Sequence, residues 1–166
     1  MEEELLENEA VESTVETTSL SIPKMTNMSV NLFGESKTKR ITNLDLTNEE
    51  NADMVLNASQ QADYKLNDEI GKEIEVIGCV LTETPTETVN EETGEMITRK
   101  KHSMTLFDSN NESHVTGSNS CYLSFMQIVA LKGMPTREKP LILIPVKAPA
   151  QTQGHEYLRL KVKSSK

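Results

Sequence analysis

The sequence predicts a mainly β protein: a five-stranded barrel with a helix between its third and fourth strands, a leading helix, and an acidic N-terminal tail. Apolar and charged residues alternate near the C-terminus, where Leu158, Leu160 and Val162 lie between polar neighbours. This two-residue period is typical of strands. Two other segments have apolar residues at three- and four-residue steps, which is the period of a helix.

Residues 1–40 are predicted to form a disordered tail. The first 17 residues contain seven glutamates and no basic residue, so they repel one another and bury little apolar surface. Pro23 and Gly34 interrupt the stretch that follows. The apolar side chains within residues 22–33 are compatible with a flexible arm or with a docking segment. The ordered domain is predicted to span residues 41–166.

The leading helix is predicted over residues 48–61. Thr47 and Glu50 have the spacing of a capping box, in which each side chain accepts from a free amide of the first turn. Ala52, Val55 and Leu56 begin an apolar face.

Strands are predicted from residue 71 onward, with Ile74, Val76, Gly78 and Val80 on one face of the first. A hairpin around Gly94, a short third strand and a closing pair follow. The two arms of the hairpin are predicted at residues 86–89 and 96–107, and the later strands are predicted over 113–116, 140–146 and 156–163.

The second helix is predicted to begin after Ser118 and to end at Gly133, with Tyr122, Phe125 and Val129 on its apolar face. Three strands, a helix and two strands are the element order of the small Greek-key barrel known as the OB-fold. In such a barrel we expect the first strand to pair with the second and fourth, and the third with the fifth.

The net charge of −9 hides a strong asymmetry. Residues 1–95 carry 22 acidic and 6 basic side chains, whereas residues 96–166 carry 4 acidic and 11 basic ones. This division suggests an acidic tail and a basic working surface; uneven scatter on an inert surface is the alternative. No apolar run is long enough to span a membrane, and the acidic N-terminus is unlike a signal peptide. We therefore expect a cytoplasmic protein without a membrane partner.

No motif predicts catalysis, so we do not expect an enzyme, a catalytic residue, a metal site or a cofactor. The seven glycines form no phosphate-binding loop. Cys79 and Cys121 are 42 residues apart, and the three histidines form no short-range pair. Both cysteines are interpreted as small core residues.

Two rows of basic side chains, one at residues 99–101 and the other at residues 157–163, indicate nucleic-acid binding. Strand alternation places two of Arg99, Lys100 and Lys101 on one face and the third on the other. Lysine and arginine bind phosphates by releasing counterions, and aromatic rings stack unpaired bases. The alternatives are a solvated surface for the basic rows and a core position for Phe107. The predicted nucleic-acid-binding residues are Arg99, Lys100, Lys101, Phe107, Tyr157, Arg159, Lys161 and Lys163.

Residues 41–50 (ITNLDLTNEE), 68–76 (DEIGKEIEV) and 157–162 (YLRLKV) together resemble small single-stranded DNA-binding proteins of Gram-positive phages and plasmids. The resemblance covers residues 41–166 and implies an OB-like barrel that coats single-stranded DNA during replication, recombination or transfer. Better-known cellular binders carry their acidic tail at the C-terminus, whereas here it is N-terminal. Replication or recombination proteins are candidate partners of this tail, and homo-oligomerisation is left open.

A second interpretation is a protein-interaction module, either a β-barrel adaptor or a virion component, that binds no nucleic acid. Three features favour it: the overall acidity, the small number of aromatic residues (six in the chain), and the apolar residues of segment 22–33. A gel-shift assay with a labelled oligonucleotide distinguishes the two interpretations, because a protein-interaction module does not change the mobility of the oligonucleotide at moderate salt.

Overall fold

The computed structural model describes residues 26–27 and 38–164, which form a mainly β fold with a curled half-barrel sheet. Ten strands and α-helices lie in these residues, together with a 3₁₀ turn at Leu66–Asp68. The strands are β1 (Thr26–Asn27), β2 (Lys39–Thr42), β3 (Tyr64–Lys65), β4 (Ile74–Val89), β5 (Met96–Asp108), β6 (Ser113–Thr116), β7 (Leu141–Pro149) and β8 (Glu156–Val162). The helices are α1 (Glu49–Gln60) and α2 (Asn119–Lys132).

Strand β4 organises the sheet. It pairs with β5 along most of its length, while β7 and β2 pair with successive parts of its other edge. Strand β6 continues the sheet beyond β5, and β8 pairs with β7. The predicted hairpin is confirmed by the pairing of β4 with β5. The predicted helix between the third and fourth barrel strands is also confirmed, because α2 lies between β6 and β7 in the chain. The short strands β1, β2 and β3 were not predicted. β1 pairs with β2, β2 with β4, and β3 with β6.

The expected pairing of the third and fifth strands is wrong for the part of the chain that the structure describes. Helix α2 lies beside the free edge of β8 instead. Ser120 Oγ donates to the Leu158 carbonyl at 2.9 Å, and Ser124 Oγ donates to the Leu160 carbonyl at 3.0 Å. Ser124 Oγ also accepts from the Leu160 amide. Serine side chains of α2 thus form hydrogen bonds with the backbone of β8 that a neighbouring strand would form in a closed barrel.

The two faces of the sheet bury different clusters. We call the face that packs against α2 the inner face and the opposite one the outer face. The inner face contributes residues such as Leu106 and Leu143 to the main core, which Phe125 of α2 completes. The outer face is covered in part by α1, whose Met54 and Val55 belong to a smaller cluster.

A bulge between Val76 and Gly78 changes the alternation of β4. The sequence places Val76 and Val80 on one face. In the structure, Val76 belongs to the main core and Val80 to the smaller cluster. This prediction is wrong because the bulge adds a residue without a partner in β5, so every later side chain is reversed.

The helix boundaries follow the prediction more closely than the caps do. Asn48 caps α1 by accepting from the Asn51 amide, while Thr47 bonds to Asp45 instead. The Thr47 capping box is therefore wrong. Ser118 caps α2 and Gly133 ends it at a φ of 85°, as predicted.

The ordered part begins earlier than residue 41. Lys39 is the first residue of β2, and Thr26 pairs with Thr42 across β1 and β2. The predicted boundary therefore falls inside a strand. The disorder predicted for residues 1–25 and 28–37 lies outside the described residues, as does most of the docking segment. Within the described part, no helix is long and apolar enough to cross a membrane.

Candidate nucleic-acid interface

Three cations share the outer face of β2, β4 and β5, and we call this surface the basic face. Directly opposite residues of antiparallel strands project to the same side. Arg40 lies opposite Thr82, Lys101 opposite Thr84, and Arg99 opposite Thr86. The basic face therefore combines Arg40, Arg99 and Lys101 with a row of threonines.

The acidic side chains of β4 beyond the bulge, Glu83 and Glu87, lie on the other side. Glu83 projects to the inner face, where its Oε1 is 2.9 Å from Lys100 Nζ and its Oε2 is 3.4 Å from His102 Nε2. The hydrogen bond from Lys100 lowers the pKa of Glu83. Arg40, Arg99 and Lys101 are exposed and form no ion pair with another described residue.

The three consecutive cations of β5 are therefore divided as the alternation predicts. Arg99 and Lys101 lie on the basic face. Lys100 lies on the inner face, where it neutralises Glu83. Lys100 does not join the other two in a common surface.

Phe107 lies in the core, which is the alternative that the sequence left open. Its side chain has an exposed fraction of 0% and packs in the smaller cluster with Val80 and Val55 of α1. The ring has no solvent-exposed surface, although it belongs to the lining of the groove beside α1. The stacking role of Phe107 stays a prediction.

The second predicted row lies on the outer face of β8. Arg159 and Lys161 are exposed opposite Val146 and Ile144 and form no ion pair among the described residues. Tyr157 is 37% exposed. Lys163 differs from them because its Nζ is 2.9 Å from Glu73 Oε1.

The two rows share a face but do not lie side by side in the sheet. Lys101 lies opposite Thr84 of β4, whereas β7 joins β4 at the residues up to Val76. Thr84 and Val76 are about 26 Å apart along β4, at 3.3 Å per residue. Glu75 lies between the two rows on the outer face.

A groove of about 220 Å³ separates α1 from the basic face. Ala58 and Ser59 of α1 form one wall, and Arg40 lies at the opposite side. Sequence reasoning missed Arg40 because it assigned this residue to the tail. The β-branched pair Ile41 and Thr42 directly after it was the available signal for a strand.

Polar residues on β3 and β6 form a different kind of site. His114 is buried, with Nδ1 2.6 Å from Glu69 Oε2 and Nε2 2.9 Å from Asp108 Oδ2. Tyr64 stacks on its ring at a centroid distance of 5.1 Å. Both ring nitrogens are occupied, so His114 has no nitrogen left to act on a substrate.

The neighbouring cleft of about 380 Å³ is lined by Glu73, Glu75 and Glu112 in addition to the Glu69–His114–Asp108 group, against one lysine, Lys72. Such a concentration of carboxylates repels a phosphodiester chain. A nucleic acid therefore has no favourable path through this cleft.

Neither cysteine has the properties of a nucleophile. Cys79 and Cys121 are both buried, with exposed fractions of 0%. Burial raises the pKa of each thiol to about 12, so neither forms a thiolate at neutral pH. Their interpretation as core residues is confirmed. In the described part of the chain, no group of three or more His, Cys, Asp or Glu could hold a metal ion.

Comparison with protein-family models, curated proteins and solved structures gives no match for this chain.

Proposed function

We propose that the protein is a sequence-tolerant single-stranded DNA-binding protein of a phage or mobile element, which coats DNA during replication, recombination or transfer. It acts in the bacterial cytoplasm, and its acidic tail contacts replication or recombination proteins. The resemblance of residues 41–166 to such proteins supports this proposal, and the charge arrangement of the sheet supports it independently.

The observation that carries the proposal is the separation of charge across β4 and β5. Glu83 occupies the inner face, whereas Arg99 and Lys101 extend from the outer face without an acidic partner among the described residues. The ordered domain is acidic overall, so a phosphate chain has few places to bind. The basic face offers cations that neutralise phosphates and hydroxyl groups that bond to phosphate oxygens.

The strand order supports an OB-like domain. Strands β6, β5, β4, β7 and β8 are neighbours in this order, with α2 between β6 and β7 in the chain. This is the order of an OB barrel opened between its third and fifth strands. In such domains the face of the second and third strands binds oligonucleotides, and β5 with its basic face corresponds to the second strand.

The β8 row gives the DNA a second contact. Arg159 and Lys161 are free of ion pairs with described residues, and the half-exposed ring of Tyr157 precedes them on the same face. A ring in this position stacks one base beside the phosphates that the cations hold.

The test compares two neighbouring lysines of β5. Lys101→Gln removes a cation of the basic face, and Lys100→Gln removes the same charge from the inner face. We expect Lys101→Gln to weaken oligo-dT binding and to reduce the slope of log affinity against log salt by about 0.7, the value per phosphate on a single strand. Lys100→Gln leaves that slope unchanged.

Equal effects of the two substitutions would contradict the assignment of the DNA to the outer face. Absence of salt-dependent oligo-dT binding by the unmodified protein would contradict the proposed function itself. Quadruple replacement of Arg99, Lys101, Arg159 and Lys161 by Ala tests both rows together, and unchanged binding would exclude them as the DNA surface.

One observation favours the protein-interaction alternative. Val89 and Met96 face each other at the end of the β4–β5 hairpin, with exposed fractions of 58% and 62%. Two adjacent exposed apolar side chains provide the start of an apolar patch that a protein partner can cover. If this is the binding surface, Val89→Ser with Met96→Ser abolishes partner capture, and the protein does not bind oligo-dT at moderate salt.

A further inference from the structure

The groove between α1 and the basic face differs in charge from its neighbours. Its residues, in the part of the chain that the structure describes, include Arg40 and no acidic side chain. The cleft beside His114 and the groove along the other side of α1 both contain several carboxylates. Of these three, only the groove beside Arg40 therefore suits a group attached to a phosphate.

The lining of this groove combines apolar and hydroxyl-bearing side chains. Val80, Val115 and Ala58 supply aliphatic surface. Thr82, Ser103 and Thr105 supply hydroxyl groups, each of which can donate and accept. This combination matches a flat heterocycle with apolar faces and polar edges.

The groove hydroxyls are available, unlike those farther along the same strands. Thr86 and Thr88 donate to the Arg99 and Ile97 carbonyls across the hairpin, at 3.1 and 3.4 Å. Thr82, Ser103 and Thr105 make no side-chain hydrogen bond with another described residue. Their hydroxyls can therefore bond to a ligand without breaking a contact of the fold.

The groove is continuous with the basic face. Ser103 lines the groove, and Lys101 and Arg99 are the next side chains on the same face of β5, about 6.6 Å apart. Arg40 belongs both to the groove and to the basic face. When Arg40 binds a phosphate, the base of the same nucleotide therefore lies beside the groove.

We propose that this groove binds one unstacked nucleobase of the single strand whose phosphates lie on Arg40, Lys101 and Arg99. The inference rests on the proposed function and adds a base-binding site to it. The volume, about 220 Å³, is below the range of roughly 300–1,000 Å³ for drug-sized ligands, so the groove takes a single base. Freely rotating hydroxyls bond to any base edge, which agrees with sequence-tolerant binding.

The experiment separates the base from the phosphates. An oligo-dT of about 12 nucleotides, within the site size of one OB domain, is compared with an abasic oligomer of the same length. We expect the unmodified protein to bind the dT oligomer about tenfold more tightly than the abasic one. Ala58→Leu fills the groove from α1 and is expected to reduce this ratio by about fivefold or more, to the preference that Tyr157 alone supports, while the affinity for the abasic oligomer stays the same.

Leu56→Phe is the matched control, because Leu56 lies on the same helix, is 56% exposed and does not line the groove. It leaves the ratio unchanged. If Ala58→Leu lowers the thermal unfolding midpoint, Ser59→Leu fills the same wall from an exposed position. A tenfold ratio that survives both fillings, or no preference for dT in the unmodified protein, overturns the base site. Salt-dependent binding of the abasic oligomer would still leave the proposed function in place.

Discussion

The Ser124 hydroxyl bonds to both backbone groups of Leu160: it donates to the carbonyl and accepts from the amide, each at 3.0 Å. A residue of a neighbouring strand forms this pair of bonds in a closed sheet. Here one helix side chain forms both bonds, and this explains how β8 can remain at the edge of a half-barrel without unsatisfied backbone groups at Leu160.

The Ser124→Ala substitution is expected to lower the free energy of unfolding by about 1–3 kcal/mol, because it leaves the buried amide and carbonyl of Leu160 without their partner. Urea denaturation measures the effect. Ser120→Ala is the control, since Ser120 forms a single bond to β8, and its effect is expected to be smaller. Equal stability of Ser124→Ala and the unmodified protein would show that water replaces the hydroxyl.

The Gly78→Ala substitution is expected to destabilise the fold by about 1–3 kcal/mol, the usual cost of overpacking. A Cβ at position 78 collides with Leu44 Cδ2 and lies 2.9 Å from its Cγ, and Leu44 is itself buried. In a double-mutant cycle, Leu44→Ala relieves this clash, so the two substitutions together cost less than the sum of their separate effects. Simple additivity would show that the Leu44 side chain moves aside without cost.

The Ser113→Ala substitution is expected to raise the pKa of Asp63. The amide and hydroxyl of Ser113 both donate to Asp63 Oδ2 at 2.8 Å and hold the pKa of this carboxyl below its ordinary value. The variant keeps the amide bond and loses the hydroxyl bond, so the pKa rises only part of the way. A carboxyl NMR titration measures it, with Asp45 as an internal reference because its partner Thr47 is unchanged.

The lowered pKa also fixes the direction of the pH dependence. Asp63 binds its proton less tightly in the folded state than in the unfolded one, so its bonds stabilise the fold fully above the ordinary pKa of about 3.9. This contribution is lost as the pH falls through the lower pKa of the folded state. The stability difference between the unmodified protein and Asp63→Asn should therefore diminish below about pH 4, and a constant difference would contradict this assignment.

Local patterns predict the elements that local residues determine. Ser118 and Gly133 correctly bound α2, and the glycine-bearing loop correctly indicates the long hairpin. The short strand β3 could not be predicted, because Tyr64 and Lys65 are ordered by parallel pairing with a strand about fifty residues away. The same holds for the β8 edge, since nothing near Leu160 indicates that a helix serine replaces a strand.

The candidate site was predictable only in part for a similar reason. Alternation correctly separates Lys101 from Lys100. The burial of Phe107 depends on α1, which lies almost fifty residues earlier in the chain. Arg40 belongs to the site because β2 pairs with β4, about forty residues later in the chain, and no local pattern indicates this pairing.

The bulge at Val76 and Gly78 has a consequence for how related sequences should be compared. Without its extra residue, the β4–β5 hairpin would be reversed relative to β7, and Glu83, Glu87 and Lys100 would replace Lys101 and Arg99 on the outer face. A sequence that keeps every charged residue but is one residue shorter here would present a surface of mixed charge to DNA. The charge of this surface thus depends on the length of a strand as well as on its composition.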